Sequence, residues 1–108
     1  MPHTPAESIS TSLRTLLETI RNSDTTDVRA KSSILVSQLD ELLNPVRDRV
    51  RGAPSQIYPA IQLGYGIPKV RDVRTFVSEA RALFANGQHH AAELAIRHAI
   101  ERWEEPDV

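Results

Sequence analysis

Six side chains in the middle of this chain have the types and spacing of a binding surface. Arg47 and Arg51 are four residues apart, and Arg71 and Arg74 are three apart. Each pair therefore shares one face wherever its segment is helical. Between the pairs stand Tyr58 and Tyr65, in a stretch without any charge. Tyrosine and arginine are enriched among the residues that carry binding energy at protein interfaces. The reading is two aromatic anchors with a cationic rim. The same cations would also suit a phosphate backbone, with tyrosines stacking on bases. Nucleic acid is thus the second class of partner, although Asp48 and Asp72 sit inside the arginine clusters.

A second cluster, His89, His90, Glu93, His98, Glu101, Glu104 and Glu105, holds the groups that metal or acid–base chemistry would need. His89 and Glu93 share a helix face, but His90 and His98 are separated by about 12 Å along a helix. That distance is too great for one metal ion, and the paired His-Glu-x-x-His pattern of zinc hydrolases is missing. A hydrolase or metal site at His89/His90 is the least favoured reading. Neither a catalytic residue nor a cofactor is expected. Gly64-Tyr65-Gly66 lacks the spacing of a phosphate loop, and there is no nucleophile elbow or triad pattern.

Charge is distributed unevenly. Residues 1–46 carry four basic and six acidic groups, residues 47–74 six basic and two acidic, and residues 93–108 two basic and five acidic. A basic middle and an acidic end point to self-association or to an internal belt of ion pairs. With no cysteine in the chain, disulfides, thiolate zinc sites and a cysteine nucleophile are excluded. The first residues have neither the basic region nor the apolar run of a secretory signal. No stretch reaches the roughly 18 apolar residues of a membrane span. A cytoplasmic protein is expected.

The elements that would position these groups are helical. A length of 108 residues suits one domain, 1–108. Thr4-Pro5-Ala6-Glu7 has the form of a capping box, and Ile9, Leu13, Leu16, Leu17 and Ile20 follow at helical spacing. Thr26 or Asp24 can cap a second helical segment in which Val28, Leu35, Leu39, Leu42, Leu43 and Val46 recur at helical intervals. Pro45 must kink or restart it, with Asn44 a suitable cap and Gly52 a suitable stop. Val70, Val73, Phe76, Val77, Ala80, Leu83 and Phe84 mark a third helix, stopped by Asn86-Gly87. Ala91, Ala92, Ala95, Ile96, Ala99, Ile100 and Trp103 mark a fourth, whose small residues allow close approach. The pattern predicts an all-α bundle of four main helices over 5–22, 26–43, 69–86 and 88–104, with a short helix near 45–51. Residues 52–68, with three prolines and three glycines and no charge, form a long apolar central loop with a helical turn near 59–63.

Residues 70–106 resemble a tetratricopeptide-type helical hairpin. Gly87 stands at the turn, Ala92, Ile96 and Ala99 at the small and apolar positions, and Pro106 near the closing proline. His89 replaces the expected aromatic residue, and the first helix lacks a Trp-Leu-Gly signature. The same stretch is similar to the alanine-rich hairpin of HEPN-type bundles, without the Arg–His motif of those nucleases. Solenoid repeats need about three copies to bury a core, so one copy implies a local antiparallel hairpin only. The function expected from these features is a non-enzymatic interaction module. It would bind a protein partner or form a homo-oligomer through the central loop and its flanking arginines.

Overall fold

Ile9, Leu13, Leu16 and Ile20 recur at spacings of four, three and four, and all four are buried. That period places them on one stripe of helix α1, Pro5–Arg21. The computed structural model describes residues 5–44, 46–48, 55–57 and 65–106, with side chains over 8–44 and 65–106. Thr4 and the capping box it would close lie outside the described residues. Helix α2, Thr25–Leu43, buries Val28, Ser32, Leu35, Leu39 and Leu42 on the same period. Of the two caps expected, Asp24 serves: its carboxylate accepts the backbone N–H of Asp27 at 3.1 Å. Ser32 is the polar member of the stripe, and its hydroxyl donates to the Arg29 carbonyl.

The two remaining helices, α3 over Ile67–Ala85 and α4 over His89–Glu104, bury complementary stripes. Val70, Val73, Val77, Ala80 and Phe84 face inward from α3; Ala92, Ile96, Ala99 and Trp103 do so from α4. Branched side chains against alanines let the two axes approach closely, and this is the most extensive packing in the molecule. The four α-helices found among the described residues match the bundle expected from the apolar period, with ends shifted by two residues at most.

Cross-helix contacts fix the directions. Thr19 meets Lys31, Asp40 meets Arg74, Asp72 meets Arg102, and Arg21 meets Glu93. Phe84 stacks on His89 and Arg14 reaches Glu104. Each helix is therefore antiparallel to its neighbours in sequence, and α4 closes the ring against α1. This is an up-down-up-down bundle. Among the described residues, no helix is long and apolar enough to cross a membrane.

The expected short helix near 45–51 is corrected over its described part. Val46–Asp48 is a strand, β1, and pairs antiparallel with β2, Ser55–Ile57, in the register Val46↔Ile57, Arg47↔Gln56 and Asp48↔Ser55. Proline explains the change, because its ring disfavours the helical basin for the residue before it. Asn44 is accordingly extended, with φ −83° and ψ 121°, and α2 ends there. The span 52–68 is thus not loop throughout: β2 lies inside it, and Ile67 and Pro68 open α3. The turn expected near 59–63 lies outside the described residues.

Candidate partner-binding face

Four side chains of α3, Arg71, Arg74, Ser78 and Arg81, follow at spacings of three, four and three. They occupy one face of the helix, and the arginines span about 15 Å along its axis. Val70, Val73 and Val77 each stand one position before a member of this stripe, so it flanks the buried face by about 100°, with Arg74 and Ser78 half-buried beside α2 and Arg71 and Arg81 exposed. Between the two helices lies an open cleft of about 720 Å³. Val36 of α2 and Ala82 and Ala85 of α3 give it apolar surface over the buried Val28 and Phe84, and Arg29, Arg74 and Arg81 give it charge.

These arginines differ in how they are engaged. Arg74 is bound to Asp40 through both carboxylate oxygens: Nε donates to Oδ1, and Nη2 donates to Oδ2 at 3.4 Å. That hydrogen bond, with the attraction of the carboxylate, raises the guanidinium pKa further above its usual range. Arg29, Arg71 and Arg81 are exposed. Among the described residues no carboxylate pairs with any of the three. Elsewhere among the described residues the cations are occupied. Arg14 pairs with Glu104, Arg21 with Glu93 and Glu18, Lys31 with Asp27, Arg97 with Glu93, and Arg102 with Asp72 and Glu105. Unpaired positive charge is thus concentrated on the α2–α3 face.

Tyr65 and Lys69 close one end of the bundle. The Tyr65 ring stacks on Trp103, with centroids 4.8 Å apart and planes at 27°. Tyr65 is half-buried and packs against the core. Lys69 is buried, and its Nζ donates to the carbonyls of Trp103, at 3.4 Å, and Glu105. A cation there satisfies carbonyls that the end of a helix leaves without partners. Arg47 lies on β1 with its side chain outside the described set, and Tyr58 and Arg51 lie outside the described residues.

The histidine region is organised by packing. His89 stacks on Phe84, with centroids 4.2 Å apart and planes at 9°, and its Nδ1 lies 3.5 Å from the Ser23 hydroxyl. His98 sets its edge on Phe76. Glu93 receives the Arg21 Nε at 2.8 Å. The hydrogen bond from Arg21 is the main cause holding the Glu93 carboxyl below its usual range. Among the described residues, no group of three histidine, aspartate or glutamate side chains could hold a metal ion.

Sequence reasoning reached Arg71 and Arg74 but missed Arg29 and Arg81. Arg81 was within reach, since it stands seven residues, two helical turns, after Arg74. Arg29 had no local signal; it joins the cleft only because α2 runs antiparallel to α3. Comparisons of the chain with protein-family models, with curated proteins and with solved structures find no match.

Proposed function

We propose that this chain is a non-enzymatic interaction module that holds a protein partner on its α2–α3 face. The carrying observation is the segregation of charge. Cations elsewhere among the described residues meet acids of the same or a neighbouring helix or cap carbonyls, whereas Arg29 and Arg81 stand at the cleft, and Arg71 beyond its end, without an acidic partner among the described residues. Arginine is favoured at interfaces because its planar fork binds carboxylates in two-pronged fashion at modest desolvation cost. Tyr58, Arg51 and Arg47 remain candidates for partner binding on sequence alone, while Tyr65 serves the end of the bundle.

A heterologous partner fits better than a second copy. A two-fold dimer sets the same patch against itself, which would place these arginines opposite one another. The large exposed hydrophobics among the described residues are Ile34 on α2, outside the cleft lining, and Leu94 on α4, far apart in sequence. Scattered single residues of this kind are ordinary on a monomer. The second reading, a nucleic-acid-associated protein, is favoured by the arginine stripe alone.

Site-specific photocrosslinking in an extract of the producing cells separates these readings. A photoreactive residue at Ala82, exposed at the cleft, should yield protein adducts, and one at Thr11 on α1 should not. Nucleic-acid adducts at Ala82 would favour the second reading. Dimer adducts of the chain with itself, or none from any face, would defeat the first.

A further inference from the structure

We infer that the α2–α3 cleft receives an acidic amphipathic helix of the partner, about three turns long. This rests on the interaction-module reading and names the chemistry of the occupant. Along α2 the cleft runs from Thr25 to Val36, and along α3 from Arg74 to Ala85. Each is twelve residues, whose eleven steps of 1.5 Å span about 16 Å. Two antiparallel helices of matched length present a groove into which a third helix can lay an apolar stripe.

The side chains specify that stripe and its borders. Val36, Ala82 and Ala85 give the cleft its exposed apolar surface, with the buried Val28 and Phe84 beneath, and the two alanines keep the α3 rim low enough for a backbone to approach. Arg29 stands on one helix and Arg81 on the other, each exposed and without an acidic partner among the described residues. An occupant with carboxylates on both sides of its apolar stripe would pair with both. A phosphate backbone would use the arginines but leave the apolar floor unfilled. Asp40 acts as a built-in competitor, because it already holds Arg74. Freeing that guanidinium should strengthen the docking of a carboxylate at this end of the cleft.

The test uses two 14-residue probe peptides with leucines at alternating three- and four-residue spacing. One has glutamates and the other lysines flanking the leucine stripe. Binding to the full chain is followed by backbone amide shifts and fluorescence anisotropy. The glutamate peptide should shift amides over 25–36 and 74–85, with an affinity that falls as salt rises. Arg29→Glu with Arg81→Glu should weaken it at least tenfold and create binding of the lysine peptide, with unchanged helical content. Asp40→Asn should tighten the glutamate peptide several-fold. Several outcomes overturn the proposal: equal binding of the two peptides to the unmodified chain, no effect of the charge reversal, shifts centred on α1 or α4, or no shifts up to millimolar peptide. Displacement of the peptide by duplex DNA with a steep salt dependence also overturns it, in favour of phosphate. None of these results decides whether Ala82 yields protein adducts, so the module reading fails separately.

Discussion

Ser23 and Gly87 occupy the same position in the two turns at one end of the bundle. Both have positive φ, 55° and 81°. Each follows a helix whose last carbonyls are caught in the same way. Ser23 N–H donates to the Ile20 carbonyl and Asp24 N–H to Thr19; Gly87 N–H donates to Phe84 and Gln88 N–H to Leu83. This double bond pattern normally places glycine at the left-handed position. A side chain there costs roughly 1–2 kcal/mol. Gly87→Ala should therefore lower stability by about 1 kcal/mol, purely through backbone strain, because an added Cβ meets nothing within 4 Å. Ser23→Gly should raise stability by about 0.5 kcal/mol, the strain relieved less the extra chain entropy of glycine. Denaturant midpoints at constant slope measure both; equal midpoints for Gly87→Ala and the parent would refute the account.

Lys69 links the start of α3 to the end of α4. Replacing it with methionine keeps the apolar stem but removes the ammonium that meets the Trp103 and Glu105 carbonyls. Hydrogen bonds to a charged group contribute about 2 kcal/mol, and a loss of that order is expected for Lys69→Met. The last turn of α4 should fray, shifting Trp103 fluorescence to the red. An unchanged spectrum together with unchanged stability would mean that the contact carries no weight.

Tyr65 tests whether the end of the central segment belongs to the core. Its ring stacks on Trp103, which is itself 7% exposed. Tyr65→Ala should cost about 2 kcal/mol through lost aromatic contact and partial cavity formation, and Tyr65→Phe, which keeps the ring on Trp103, should cost less. The measurement is thermal unfolding of the isolated chain. Full stability of Tyr65→Ala would return this tyrosine to the binding face instead.

The helices were legible because their apolar positions repeat with one period over three or more turns, and the Asp24 cap and the Gly87 stop agree with it. The hairpin was not, and one comparison shows why. The tripeptide Val-Arg-Asp occurs twice: at 46–48 it is strand, and at 70–72 it is helix. Val70 continues into a helical stripe and is fully buried, while Val46 comes after Asn44, which is already extended at the end of α2. Local composition is identical, so the neighbours decide. The candidate face was half legible for a related reason. Arg71 and Arg74 are close in sequence, but Asp40 meets Arg74 across 34 positions and Glu93 meets Arg21 across 72. Which cations are spent and which remain open follows from helix order, which no local pattern encodes.

The Arg21–Glu93 pair gives the chain a defined response to acid. Glu93 titrates below its ordinary value of 4.5 in the folded state, first because Arg21 donates a hydrogen bond to it; burial opposes this, and the charges of Arg21 and, less, Arg97 and His90 add to the lowering. A carboxyl with a lowered folded pKa binds its proton more readily when unfolded, so acid favours unfolding through it. Its stabilising contribution is complete above the unfolded value and is lost as pH falls through the folded one. Glu93→Gln removes the titration but keeps the shape of the side chain. The parent should be more stable than this variant at pH 7, and the difference should shrink below about pH 4.5 and vanish once the folded carboxylate is protonated. Arg21→Gln should abolish the same pH dependence, since it removes the cause of the shift. Denaturant midpoints for parent and variants between pH 7 and pH 2.5 make the comparison. A gap between parent and Glu93→Gln that stays constant across that range would show that the carboxylate charge does not join α1 to α4.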